Sequence, residues 1–69
     1  MFNRSKFKSA VILSEHSMSD VAKALKINES TLYRKINNEG AFTREEINVL
    51  IKFLNIDDPK AIFFADKLA

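Results

Sequence analysis

One glycine and one proline among 69 residues restrict this chain more than any other feature of its sequence. Hairpin reversals lean on those two residues, so a turn-rich all-β domain has little room here. Helix interiors disfavour both, and here both fall between apolar-periodic segments. Gly40 follows the polar run Asn37-Asn38-Glu39, and Pro59 follows Asp58. The pattern points to an all-α fold built from short helices.

Composition narrows the class further. With 46% apolar and 29% charged residues the chain reads as globular. Its length allows one domain, 1–69, near the lower limit at which a single apolar core suffices, a size at which partners often add stability. Cysteine is absent. That excludes a disulfide framework, a thiolate zinc site and a cysteine nucleophile, and it suits a reducing cytoplasm. His16, the only histidine, cannot build a multi-histidine metal site. No apolar run approaches the length of a membrane span, and the first residues lack the pattern of a signal peptide. The expectation is a cytoplasmic domain that needs no cofactor, no metal and no membrane.

Periodicity divides the chain into five helices. Phe7, Ala10, Val11 and Leu13 suggest a first helix over 5–14. Ser17 with Asp20 three residues on resembles a capping box, followed by Val21, Ala22 and Leu25 on one face of a helix over 18–25. Asn28 can cap a third helix whose inward pair is Leu32 and Ile36, and Gly40 or an asparagine can take the left-handed turn after it. Thr43-Arg44-Glu45-Glu46 is a T-x-x-E capping box before Ile47, Leu50, Ile51 and Leu54, giving a fourth helix over 44–54. Asp58 and Pro59 open a fifth over 59–68, carrying Ile62, Phe63, Phe64 and Leu68.

Helices two and three have the spacing of a helix-turn-helix, 18–37, joined by about three residues. Ala22 sits where two steeply crossing helices approach closely, and Ile27 can plug the angle between them. With Leu32 and Ile36 inward, Ser30, Arg34 and Asn37 face outward, flanked by Thr31, Tyr33 and Asn38. An arginine can fork onto a guanine edge, hydroxyls can bond to several bases, and asparagine can reach adenine or a phosphate. Glu29 can accept from a cytosine amino group, or it can simply suit the helix N-terminus. Arg34 and Lys35 also read as solvated surface charges. Charge is uneven as well: residues 1–35 carry seven Lys and Arg against three Asp and Glu, whereas 36–69 carry four against six. A polyanion can bind the basic pole alone, although an ordinary solvated surface explains the same numbers.

The stretch from Met18 through V-A-K-A-L-K-I-N-E-S-T-L to Asn37 resembles the helix-turn-helix of the lambda-repressor-like (Cro/CI, Xre) family, and the segment from Phe42 to Ile56 followed by Ile-Phe-Phe resembles that family's last two helices. The likeness spans about residues 5–66 and is nearest to small phage-derived regulators. It implies a five-helix DNA-binding domain with helix three in the major groove. By position it assigns base reading to Glu29, Ser30 and Arg34, and phosphate contact to Asn28, Asn37 and Asn38. From their own places on the chain, Tyr33 joins the base-reading set, and Lys8, Ser17, Lys26, Thr31 and Lys35 join the phosphate contacts. Arg4, Lys6 and Lys8 would form a basic N-terminal arm, 1–8. Three positions depart from the pattern. Met18 replaces a phosphate-bonding glutamine, Lys26 replaces a turn glycine, and Ile36 comes four residues after Leu32 where many members have three.

The expected partner is a double-stranded operator, an inverted repeat bound by a homodimer whose seam uses Phe53, Phe63 and Phe64. The competing expectation is a protein-interaction module, an antirepressor or adaptor, that keeps the fold. An enzyme is not expected. Glu45 and Glu46 point in different directions on one helix, Asp57-Asp58 reads as a cap, and nothing suggests a small-molecule substrate.

Overall fold

A computed structural model describes residues 2–64. Among them are five α-helices and no strand: α1 Arg4–Leu13, α2 Met18–Leu25, α3 Glu29–Asn37, α4 Arg44–Phe53 and α5 Pro59–Phe63. The first four match their sequence-derived spans to within a residue. Positions 65–68, assigned above to the end of the fifth helix, lie outside the described residues. None of the described helices is long and apolar enough to cross a membrane.

Each helix starts where a side-chain oxygen accepts from a first-turn amide. Asn3 accepts from the Lys6 N–H at 3.0 Å, Asn28 from Thr31 at 2.8 Å, and Asp58 from Ala61 at 3.4 Å. Ser17 and Thr43 form complete capping boxes. Their hydroxyls accept from the Asp20 and Glu46 amides, and those carboxylates accept the Ser17 and Thr43 amides at 3.0 and 2.9 Å. One such cap contributes about 1 kcal/mol.

The helices also stop alike. Glu15, Lys26, Glu39 and Asn55 each take a positive φ between 54° and 63° just after α1, α2, α3 and α4. The following amides then reach back five residues: His16 to Val11, Ile27 to Ala22, Gly40 to Lys35 and Ile56 to Ile51. Those bonds satisfy carbonyls that the helix ends leave open. With glycine nearly absent, the chain accepts left-handed strain on the order of 1 kcal/mol at each such non-glycine residue.

The core gathers Phe7 and Val11 of α1, Val21 and Ala22 of α2, Leu32 and Ile36 of α3, Leu50 of α4 with Leu54 just past it, and Ile62 and Phe63 of α5. α2 packs against both α3 and α4, while α1 packs on α5. Ile27 is half-buried against the core in the α2–α3 corner. Leu13 corrects the sequence reading, being 82% exposed rather than inward. It lies six residues past Phe7, about 240° further round the helix, so it cannot share that residue's face.

The N-terminal arm is also corrected. Phe2 is buried among Phe7, Phe42 and Phe63, with ring centroids 5.5 to 6.0 Å away, and the Asn3 amide donates to the Ile62 carbonyl at 2.7 Å. Residues 4–8 belong to α1. What reads as a free basic arm is a tethered strap, because an aromatic side chain near the start of the chain finds an aromatic pocket.

Candidate nucleic-acid interface

The α2–α3 pair presents one continuous polar face. Leu32 and Ile36 are buried, so the helical repeat turns Ser30, Arg34 and Asn37 outward, and all three are exposed. Glu29 and Asn38 are exposed at the two ends of α3, Tyr33 is 44% exposed, and Thr31 is half-buried. No large aliphatic side chain interrupts this face.

Local bonds decide what each group can still offer. Asn28 Oδ1 accepts both the Thr31 amide and the Ser30 hydroxyl, each at 2.8 Å. Ser30 therefore faces outward as an acceptor, while the Asn28 amino group remains a donor with no partner among the described residues. The Arg34 guanidinium has no partner among them either. Asn38 closes α3, its amide bonding to the Arg34 carbonyl at 3.0 Å.

The Lys35 ammonium lies 3.2 Å from Glu46 Oε1 and 3.4 Å from the Ala41 carbonyl, and its side chain is 23% exposed. It ties α3 to α4, so its charge is engaged within the fold rather than free on the outward face. Burial acts most strongly on the Glu46 carboxyl and pushes its pKa up. The Thr43 amide and the Lys35 ammonium together outweigh burial and hold it below the ordinary value.

Three assigned cations or caps stand at the edges. Lys26 is exposed in the α2–α3 corner, at φ 60° and ψ 39°. Ser17 is exposed at the start of α2, where its amide and then its hydroxyl hold the Asp20 carboxyl below its usual pKa. Met18 next to it packs against the core, with no polar atom to offer a phosphate. Lys8 is exposed on α1, one turn beyond Arg4.

Arg4, read from the sequence only as part of a basic arm, takes a fixed place beside α3. Its Nη1 donates to Asn37 Oδ1 at 2.9 Å, joining the start of α1 to the end of α3 across 33 residues. A shallow depression lined by Phe2, Arg4, Ile36, Asn37 and Glu39 marks the junction. Nothing local signals this contact; it follows from burial of Phe2, which carries the start of α1 to α3.

The expected dimer seam changes most. Phe63 is interior, 7% exposed, so it cannot meet a second copy. Phe53 is half-buried and stacks on His16, ring centroids 4.1 Å apart and planes within 19°. Only Phe64, 43% exposed, stands outward. Two adjacent aromatics on a short helix must diverge, and here the first completes the core.

Comparison with protein-family models, with curated proteins and with solved structures returns no match.

Proposed function

We propose that this chain is a sequence-specific double-stranded DNA-binding transcriptional regulator, a repressor of the lambda-repressor-like helix-turn-helix type, with α3 in the major groove. The observation that carries the reading is the outward face of α3. Arg34, Ser30 and Glu29 offer a donor fork and acceptors, Asn37 and Asn38 flank the far end, and the inward face is locked by Leu32 and Ile36. Around this face Lys26, Ser17, the Asn28 amino group, Arg4 and Lys8 supply the contacts that set register and most of the affinity. The left-handed Lys26, at the position where the family has glycine, supports the same reading.

Two copies bind an inverted repeat with half-sites about 10 bp apart. Phe63 is interior and Phe53 stacks on His16, so among the described residues Phe64 alone of the three expected seam aromatics stands outward. On this reading the two copies pair on the operator.

Selection from a random duplex library at physiological salt tests this. An enriched inverted repeat is expected. A single unrepeated half-site would remove the pairing but leave the reading, and no enrichment would sink the proposal. The competing reading, an interaction module without specific DNA binding, draws on the apolar Met18 at the start of α2; it predicts no enrichment at all.

A further inference from the structure

A groove of about 620 Å³ runs between α4 and α5. Its walls include Ile47 and Ile51 of α4, Phe42 before α4, and Pro59 and Phe64 of α5 and its end. Phe42, Ile47 and Ile51 are the outer edge of the core, and Phe64 stands 43% exposed at the rim. Among the described residues the charged side chains lining it are Arg44 and Lys60, both exposed cations, with no carboxylate beside them. This is unexpected in a half of the chain whose Asp and Glu outnumber its Lys and Arg. Arg44 is also the first residue of α4, where the helix dipole disfavours a cation. Neither cation has a carboxylate partner among the described residues. The groove shares no residue with the outward face of α3, so both can be occupied together.

We infer that the α4–α5 groove binds an acidic amphipathic segment of another protein, whose apolar side chains enter between Ile47, Ile51 and Phe64 while its carboxylates pair with Arg44 and Lys60. An apolar floor with a cationic rim fits apolar anchors spaced at one helical turn and flanked by acids. This goes beyond DNA binding and does not depend on it. It gives the regulator a second contact, with a protein partner, that stays open when α3 is engaged.

The test uses the full chain without DNA. Two synthetic amphipathic helical peptides share one leucine face; one carries glutamate on the other face and the second carries lysine. Methyl NMR of Ile47 and Ile51 follows each titration. The acidic peptide should shift both methyls saturably, and R44E/K60E should weaken it about tenfold while admitting the lysine peptide. At Arg44 the reversal suits the first turn of α4, which already carries Glu45 and Glu46, and circular dichroism checks that the double variant folds. Equal binding of both peptides to the parent chain, or no methyl shift with either, overturns the inference. So do contacts from the chain's own Leu68 to Ile47 in the free protein, or methyl shifts that follow protein concentration alone, which would make a second copy the occupant.

Discussion

Lys26 occupies a backbone conformation that works against the stability of the fold. Its φ of 60° and ψ of 39° are conformations that glycine adopts freely and lysine does not. Lys26→Gly should therefore stabilise the fold by about 0.5–1 kcal/mol in chemical denaturation. On the DNA-binding reading, the same substitution lowers the salt slope of duplex affinity by about one. A stabilised variant with an unchanged slope would remove Lys26 from the interface. Arg34 is tested by specificity rather than by slope. Arg34→Ala should cost about 1–3 kcal/mol on the best site and relax discrimination at one base pair. Uniform loss on every duplex would reduce Arg34 to a phosphate contact. Gly40 answers a different question. Its φ is 68°, and an added Cβ would collide with the Phe2 ring and lie 2.8 Å from the Phe2 Cβ. Gly40→Ala should cost about 2–4 kcal/mol, because neither the backbone nor Phe2 can yield.

At the scale of the helix, starts are legible in the sequence because a cap is a local device. Ser17 with Asp20, Asn28, Thr43 with Glu46, and Asp58 with Pro59 all act as their spacing implies. Helix ends are less legible. Glu15 and Glu39 have no propensity for a left-handed turn, yet both adopt it where the next amide closes the helix end. The same limit explains Lys35, whose position on α3 is readable but whose partner, Glu46, is eleven residues away on α4. Glu46 closes a capping box and takes that ion pair, so its carboxyl is held below its ordinary pKa in the fold. A depressed carboxylate stabilises fully above the unfolded-state pKa, and that contribution fades as the pH falls through the lower folded-state value. Glu46→Gln keeps an acceptor for the Thr43 amide but loses the charge. It should lower stability at neutral pH and flatten the acid limb of a stability–pH curve. A parallel curve, merely displaced, would mean that the ionisation of Glu46 does not couple to folding.

The whole molecule is closed by its first residues. Charge alone makes 1–8 read as an arm, since Arg4, Lys6 and Lys8 dominate it and nothing local says where Phe2 goes. Its destination depends on Phe42 and Phe63, forty and sixty-one positions on, and on the Asn3 amide meeting the Ile62 carbonyl. That closure then sets Arg4 against Asn37, so the site inherits part of its basic edge from a long-range aromatic contact. A domain of this length has a total stability of about 3–10 kcal/mol, and loss of a buried phenylalanine to alanine costs about 3–5. Phe2→Ala should thus populate the unfolded chain at ordinary temperature. Phe2→Leu, which keeps most of the apolar volume, should remain folded and lose about 1–2 kcal/mol by thermal or urea melting. Lys8→Ala, in the same stretch but exposed, should leave the melt unchanged and weaken every duplex alike. If Phe2→Leu melts with the parent, the Phe2 ring does not close the aromatic pocket, and Arg4 loses the contact that fixes it beside α3.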